Sequence, residues 1–415
     1  MTEFTHPGLY VHVPFCETKC PYCDFTSGTS LSSIPDWLQA IKREMLLYRD
    51  RFSRFDSLYL GGGTPSVLAE RGLAELTHSL RRNFSISDDA EFTMEVNPDD
   101  VTSDRVPFLR DLGVNRISLG VQSFDDRDLR FLKRRHTVAQ ALKAIEEFKA
   151  AGFAKVGLDL MYGLAGQTET SWMKTLEQAV SYSPEHLSCY QLTIHENTPF
   201  WELQAKGEIT PLDEEKESSF FVLTSAFLEE KGYIHYEVSN FARGEENLCK
   251  HNLKYWKRAP YLGLGPSAHS YQDGVRWWNL RDLERYCRAL EQGKTPVEGS
   301  ETLTSEQVYL ETILLGFRTR DGVDREIFRG REGTEEVLRH LQLAGVVRVV
   351  EGKVVPTVKG FLVADSLPLL FSDYTLFTQI LFLYPCDFRA LQAQPGHQPL
   401  LVEEEGVHVG ARRGC

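Results

Sequence analysis

The chain has 415 residues, which is long enough for one large domain and a smaller one. Its hydrophobic content of 42% and charged content of 25% are ordinary for a soluble globular protein. A formal net charge of −13 argues against non-specific nucleic-acid binding, because that binding requires a cationic surface.

The amino terminus and the cysteines indicate a cellular compartment. The first residues, MTEFTHPG, contain neither the basic nor the apolar region of a secretory signal. No run of about 18 apolar residues occurs, so we expect no membrane-spanning helix. Eight cysteines without a secretory signal are typical of free thiols in a reducing cytosol, and we therefore expect a cytoplasmic protein.

Strands and helices alternate along the first 240 residues. In chain order, the predicted elements are strand 9–13, a helix from residue 33, strand 57–60, helix 68–82, strand 91–96, helix 102–112, strand 116–121, helix 137–151, strand 155–161, helix 170–181, strand 186–194, helix 214–231 and strand 236–238. Strands that alternate with helices of this length indicate βαβ units and a parallel sheet. Six such units predict an α/β fold, a partial (β/α)6 barrel, with ligands at the carboxyl ends of the strands.

The alternation ends near residue 300, and the sequence predicts three further parts. Residues 241–300 are interpreted as a connecting segment, and residues 372–415 as a divergent tail to which we assign no function. Between them, helices at 304–316 and 334–344 precede a hairpin formed by 346–350 and 353–358. Thr304 with Gln307 at the first of these helices, and more loosely Ser33 with Asp36 at the helix from residue 33, are predicted capping boxes. Helices followed by a two-stranded wing resemble a small α+β winged-helix domain. Because the chain is acidic, we expect an interaction or lid role from it rather than DNA binding.

The first strand runs directly into three closely spaced cysteines. Cys16, Cys20 and Cys23 have C-x3-C-x2-C spacing, within YVHVPFCETKCPYCDF. Three thiolates in so short a loop can each bind one iron of a [4Fe–4S] cluster, which usually has four cysteine ligands. The fourth iron then lacks a protein ligand and can chelate the amino and carboxylate groups of S-adenosylmethionine.

Two other interpretations of these cysteines remain open. A structural zinc ion would need a fourth ligand, for which His12 or Asp24 are candidates. However, zinc sites usually pair two C-x2-C knuckles, and the other five cysteines are scattered singly. The three thiols could also be ordinary buried side chains. The spacing favours the cluster.

Several motifs together resemble the radical S-adenosylmethionine superfamily. The cysteine loop is followed by GGGTP at residues 61–65, and then by EVNPDD, RISLGVQSF, DLMYGLAGQT and YEVSNFA. The sequences and the order of these motifs, from about residue 9 to about residue 370, resemble those of the HemN/HemW group within this superfamily. That group holds oxygen-independent coproporphyrinogen III oxidases and heme chaperones. The resemblance implies the same partial barrel, the cluster and S-adenosylmethionine as a cofactor.

The resemblance also implies a set of residues that contact S-adenosylmethionine. They are Tyr10, Tyr22, Gly62, Gly63, Thr64, Glu95, Gln122, Arg134 and Asp159. Glycine lets backbone approach a ligand closely, and a guanidinium matches a carboxylate in geometry. Gln122, Arg134 and Asp159 correspond to residues that contact a second S-adenosylmethionine molecule in the oxidases. We carry over these residues but not the binding of two molecules. Taken singly, each polar residue has an ordinary interpretation as a surface, ion-paired or capping side chain.

A second motif, HNLKYW, resembles a heme-binding signature of the group's heme chaperones. It comprises His251, Asn252, Tyr255 and Trp256. Imidazole is a common ligand of heme iron, and flat aromatic rings pack on a porphyrin face. Without the resemblance, a core histidine with two core aromatics would be the preferred interpretation. Cys249 and His269 are further candidates without an assigned role.

Two departures from the oxidases favour a heme chaperone. The oxidases have another cysteine two residues after the third one, where this chain has Phe25, and a longer arm before the strand at Tyr10. We therefore expect a protein that binds heme and delivers it to apo-hemoproteins, with no membrane association except through the recipient. Oxidation of coproporphyrinogen III is the alternative, and a radical enzyme that acts on some other substrate is a third possibility. The electron donor and the recipient are not predicted.

Overall fold

The structure is a computed structural model that describes residues 6–371. The divergent tail at 372–415 lies outside the described residues. The strands are β1 Gly8–Val13, β2 Phe55–Gly62, β3 Ile86–Val96, β4 Arg116–Gln122, β5 Lys155–Tyr162, β6 His186–Gln191, β7 Ile234–Glu237, β8 Asn240–Ala242, β9 Tyr261–Leu264, β10 His269–Gln272, β11 Val275–Asn279, β12 Val297–Thr302, β13 Val323–Asp324, β14 Val347–Val350 and β15 Lys353–Pro356.

The helices occupy the intervals between these strands. They are α1 Ile34–Tyr48, α2 Glu70–Asn83, α3 Arg105–Asp111, α4 Asp126–Phe131, α5 Val138–Ala150, α6 Glu169–Ser181, α7 Pro199–Ala205, α8 Glu214–Glu230, α9 Lys250–Trp256, α10 Leu283–Glu291, α11 Ser305–Phe317, α12 Thr334–Leu343 and α13 Val358–Leu362. Among residues 6–371, no helix combines the length and the apolar character needed to cross a membrane.

Twelve strands form one sheet, in the order β12-β11-β10-β9-β1-β2-β3-β4-β5-β6-β8-β7. The strands from β1 to β6 are neighbours in sequence order and pair in parallel, which confirms the six predicted βα units. The α/β partial barrel is therefore the fold. Its carboxyl strand ends meet at one edge, which is where parallel barrels bind ligands.

Side chains alternate between two faces of this sheet. In β1, Leu9, Val11 and Val13 are fully buried in the apolar core that includes residues of the surrounding helices. Tyr10 and His12 alternate with them and therefore point into the barrel. The inner positions of the following strands are largely polar, so the barrel interior is lined by hydroxyls, carboxyls and imidazoles rather than by aliphatic groups.

Residues 241–300, expected to be a connecting segment, are instead part of the same sheet. β9 pairs in parallel with β1, and β10, β11 and β12 continue from β9 in antiparallel order. These strands have four to six residues; short turns join β9 to β10 and β10 to β11, and α10 lies between β11 and β12. Strands this short, with turns in place of two of the helices, do not repeat the strand–helix alternation of the βα units, which explains why the sequence pattern did not reveal them.

The carboxyl-terminal part has its own small core. α11 and α12 pack with a three-stranded sheet of order β13-β15-β14. α11 begins with the predicted capping box, in which the Thr304 side chain accepts from the backbone N–H of Gln307 and the Gln307 side chain accepts from that of Thr304. The arrangement of helices and a hairpin matches the predicted winged-helix-like domain.

Candidate cluster and cofactor site

The cysteine loop follows β1 directly, and its base is fixed by backbone hydrogen bonds. The Cys16 N–H donates to the Gly28 carbonyl at 3.0 Å, and the Gly28 N–H donates to the Pro14 carbonyl at 3.0 Å. The Thr64 N–H, just beyond β2, donates to the Phe15 carbonyl at 2.7 Å. These bonds place the first cysteine at the carboxyl ends of β1 and β2.

The spacing of the three thiols fits a cluster better than a single metal ion. Cys16, Cys20 and Cys23 are all free thiols, the first buried and the others partly exposed. Sulfur atoms bound to one zinc ion at ~2.3 Å lie within about 4 Å of each other. In the described residues, the single group of three candidate ligand atoms within 4.8 Å of one another consists of carboxylates. The three sulfurs therefore do not all lie within the distance that one zinc ion requires, whereas thiolates on separate irons of a cube need not do so.

The side chains considered as a fourth zinc ligand are already engaged. His12 Nε2 lies 2.7 Å from the Thr26 carbonyl, and His12 Nδ1 lies 3.1 Å from the Tyr10 hydroxyl. A carboxylate oxygen of Asp24 lies 3.6 Å from His195 Nδ1. Both ring nitrogens of His12 and one carboxylate oxygen of Asp24 thus have other partners, which weakens the zinc interpretation.

The three thiols differ in their surroundings, and two of them receive hydrogen bonds. Thr64 Oγ1 donates to Cys16 Sγ at 3.5 Å, and Arg134 Nη1 donates to Cys20 Sγ at 3.5 Å. By contrast, burial raises the pKa of the Cys23 thiol to about 11. A thiolate at this position therefore requires a bound cation, because coordination deprotonates a thiol directly.

The GGGTP turn packs against the cysteine loop, and this packing explains its glycines. Gly62 has φ +112°, and a Cβ there would lie 2.5 Å from the His12 ring. A Cβ on Gly63 would lie 2.6 Å from the Phe15 carbonyl oxygen, while the Gly63 N–H donates to the Val13 carbonyl at 2.8 Å. The two glycines thus let the GGGTP turn pack closely against His12 and Phe15. Their contact with S-adenosylmethionine stays a prediction.

Two half-buried carboxyls lie on the inner face of the barrel. Glu95 accepts from the Tyr59 hydroxyl at 2.9 Å and from the Gly62 N–H at 3.1 Å. Burial raises the pKa of Glu95 to about 7, and that of Asp159, which accepts from Ser118 Oγ at 2.9 Å, to about 6. A cationic ligand placed between them would favour the ionised form of both.

Arg134 and Gln122 lie together near the same strand ends. Arg134 Nη2 donates to Asn97 Oδ1 at 2.5 Å and to the Gly120 carbonyl at 3.0 Å. A Cβ on Gly120 would lie 3.1 Å from Gln122 Nε2 and 3.2 Å from Arg134 Nη2. Gln122 has φ +66°, an uncommon conformation for a residue with a side chain, and such conformations cluster at binding sites.

The two predicted tyrosines are also in this region. Tyr10 lies on the inner face, with its ring centroid 6.1 Å from that of Tyr59. Tyr22 is in the cysteine loop, its ring 6.1 Å from that of Phe200, and burial raises the pKa of its hydroxyl. The structure therefore brings all nine predicted S-adenosylmethionine residues to the carboxyl ends of the strands or the barrel interior beside them.

The HNLKYW motif lies at the opposite end of the barrel. His251 is 1% exposed, with Nδ1 3.0 Å from Ser57 Oγ and Nε2 2.8 Å from the Tyr255 hydroxyl. Its backbone N–H donates to a Glu91 carboxylate oxygen at 3.1 Å. Burial lowers the pKa of His251 to about 3. His251 thus closes the interior at the amino ends of the strands, with both ring nitrogens bonded to the protein.

The other residues of this motif, and the neighbouring Cys249, also contact the protein or are partly or fully buried. Trp256 lies beneath the Arg318 guanidinium, whose carbon is 5.2 Å from the ring centroid, and Asn252 is half-buried. Cys249 is buried, and burial raises the pKa of its thiol to about 12. In this conformation the motif presents no open iron ligand, which is the arrangement expected of a core histidine.

Three residues that position the predicted site residues were not predicted from the sequence. Asn97 binds Arg134, Ser118 binds Asp159, and Tyr59 binds Glu95. Tyr59 and Ser118 occupy inner strand positions, a pattern that alternation could have revealed, and Asn97 is part of the EVNPDD motif.

Three comparisons relate the chain to known proteins. The family model described as the radical SAM superfamily matches residues 10–179. The protein named heme chaperone HemW from Bacillus subtilis (strain 168) is 33% identical over 370 residues, covering 86% of this chain and 97% of the relative. The protein of the same name from Mycobacterium tuberculosis (strain H37Rv) is 36% identical over 368 residues, covering 86% of this chain and 93% of the relative.

Among solved structures, coproporphyrinogen III oxidase (HemN) from Escherichia coli has a similar fold. The TM-score is 0.75 at 24% sequence identity, covering 89% of this chain and 91% of the oxidase. At this identity the likeness supports the fold of the chain and does not extend to its activity.

Proposed function

Because the chain belongs to the radical S-adenosylmethionine superfamily and, within it, to the HemW family, we propose that it is a heme chaperone. It would bind heme and deliver it to apo-hemoproteins. The observation that carries the proposal is the match to relatives named heme chaperones along nearly their whole length. A cytosolic location, expected from the free thiols, stays a prediction.

Membership in the superfamily implies a [4Fe–4S] cluster and S-adenosylmethionine. The residues fit this pair, since three free thiols at the strand ends do not all lie within the distance that one zinc ion requires. When bound, the cluster supplies one-electron chemistry and an iron that can chelate an amino acid. Cys16, Cys20 and Cys23 would hold it, with Arg134 and Thr64 donating to two of the sulfurs.

The surrounding side chains would orient S-adenosylmethionine by charge. Glu95 is the carboxyl nearest the turn that follows β2, and it would pair with the cationic amino group or sulfonium. Arg134 offers a guanidinium to the carboxylate, and Asp159 can accept from ribose hydroxyls. All three are already bound to neighbouring side chains, so their positions do not depend on the ligand.

Heme is the cargo in this proposal. The HNLKYW motif supports it by resemblance, and binding of iron by His251 stays a prediction. Both ring nitrogens of His251 are bonded in the described conformation, so iron binding there would require one of these two hydrogen bonds to break.

Oxidation of coproporphyrinogen III is the second candidate, and one observation separates the two. The oxidases have a cysteine where this chain has Phe25, whose side chain is 64% exposed beside the cysteine loop. A thiol function at that position is therefore absent. This difference favours the chaperone over the oxidase.

Delivery of heme can be tested with a heme-loaded sample and a heme-free b-type hemoprotein. We expect the transfer rate to rise with acceptor concentration, because direct delivery requires contact between the two proteins. Apomyoglobin serves as a control that traps heme after passive release. A rate that is independent of the acceptor, and equal to the rate of loss to apomyoglobin, would argue against delivery.

A further inference from the structure

The inner face of the barrel sheet continues past β9 onto β10 and β11. His269 of β10 pairs directly with Trp278 of β11. Their neighbours Ser270 and Trp277 point to the opposite face, where Ser270 Oγ accepts from the Gly263 N–H and the Trp277 ring stacks on Tyr48 of α1. His269 and Trp278 therefore project from the inner face, on the same side of the sheet as Tyr10.

One part of this inner face, around Arg276 and Tyr271, is covered by ion pairs and hydrogen bonds, whereas the part around His269 and Trp278 is open. Arg276 forms ion pairs with Glu301 of β12 and Glu311 of α11, and Arg258 donates to the Tyr271 hydroxyl at 2.8 Å. Above them, His269 is exposed and Trp278 is half-buried. The two rings contact each other, with centroids 6.0 Å apart and an interplanar angle of 27°.

His269 differs from the other inner-face histidines in having available ring nitrogens. In the part of the chain that the structure describes, no hydrogen bond is formed by either of its ring nitrogens. His12, His186 and His251 are buried, and each has a ring nitrogen bonded to a backbone carbonyl or a hydroxyl group. Partial desolvation and the positive charge of Arg276 lower the pKa of His269, which favours the neutral imidazole that binds iron.

This open face adjoins the cysteine loop. Gly265, at the start of the turn into β10, approaches β1 so closely that a Cβ there would lie 2.5 Å from the His12 carbonyl oxygen. Arg281, just after β11, is exposed, and its Nη2 donates to the Asp24 carbonyl at 3.3 Å. An imidazole, an indole and a nearby guanidinium match the three parts of heme, namely its iron, its apolar ring and its propionates.

We propose that His269 binds the heme iron and that Trp278 packs against the porphyrin, on the open inner face of β10 and β11. The inference rests on the proposed function. It assigns the binding of the heme iron to His269 rather than to His251, the residue that the HNLKYW motif suggests. Here heme enters beside the cysteine loop, and the hydrogen bonds of His251 stay intact.

Ferric heme titrated into the cluster-reconstituted protein tests this assignment by difference absorption and EPR spectroscopy. His269→Ala should remove the imidazole-ligated signature and weaken binding by about tenfold, while Trp278→Ala should weaken it by a smaller factor and keep the ligand signature. Free imidazole should restore the signature in His269→Gly, which a purely structural role would not produce. His78→Ala, on the exposed face of α2, is the matched control and should behave like the unmodified protein.

The outcomes separate this inference from the proposed function. If His269→Ala binds heme with unchanged affinity and spectrum, while His251→Ala loses the ligand, the assignment to His269 is wrong and the chaperone proposal stands. If the unmodified protein binds no heme, both fail. Loss of the signature in His269→Ala with rescue of His269→Gly by imidazole supports both.

Discussion

Replacing Cys16, Cys20 or Cys23 by Ala will leave the protein unable to retain an iron–sulfur cluster. Anaerobic reconstitution of the unmodified chain should give about four irons and four sulfides per chain, and each variant should lose the brown chromophore. One missing thiolate leaves a second iron without a protein ligand, and the three thiols are the cluster ligands supplied by this loop. Iron and sulfide analysis, with the absorption spectrum, measures the effect.

Cys287→Ala is the matched control for these variants. Cys287 is a free, partly exposed thiol on α10, outside the cysteine loop, and its loss should leave the iron content unchanged. Stoichiometric zinc in the unmodified protein, with no iron uptake, would contradict the cluster and revive the zinc interpretation.

Replacing Arg116 by Ala will strongly destabilise the barrel. Arg116 and Glu91 form an ion pair at 3.5 Å, and their side chains are only 3% and 5% exposed. Arg116 also donates to the Asn247 carbonyl at 3.0 Å, which attaches the segment preceding α9. Removal of one partner leaves the other charge buried, with Lys155 at 3.9 Å as a weaker partner, so we expect a loss of about 3 kcal/mol in the free energy of unfolding.

Denaturant unfolding followed by circular dichroism measures this loss. The control is Arg127→Ala, because Arg127 forms its ion pair with Asp125 on the surface, where solvent screens the interaction. That variant should unfold at the same denaturant concentration as the unmodified protein. Equal midpoints for Arg116→Ala and the unmodified protein would mean that the charges at the base of the barrel are hydrated rather than buried.

The parallel part of the fold was predictable because its signals are local. Each strand from β1 to β6 precedes a helix, which makes the βα units recognisable from the sequence. Glu95, Gln122 and Asp159 were named from the resemblance to the family, and their role stays a prediction. The capping box at Thr304 was predicted from a local signal and is present. At Ser33 the same kind of signal failed, since α1 begins there without a side-chain capping bond.

What could not be predicted depends on contacts between distant segments. The pairing of β9 with β1 joins residues about 250 positions apart, and no local pattern indicates it. The same long-range pairing places His251 below the amino ends of the strands rather than near the cysteines, and leaves His269 on the open inner face. Sequence spacing alone treats these two histidines alike, whereas burial distinguishes them.

Incubation of the reconstituted protein with heme and, separately, with coproporphyrinogen III tests the central claim most directly. With heme we predict a saturable Soret band and a dissociation constant in the micromolar range or below, on the order of −8 kcal/mol. With coproporphyrinogen III, reduced cluster and S-adenosylmethionine, we predict no decarboxylation. Robust formation of protoporphyrinogen IX, together with no affinity for heme, would contradict the chaperone and identify an oxidase.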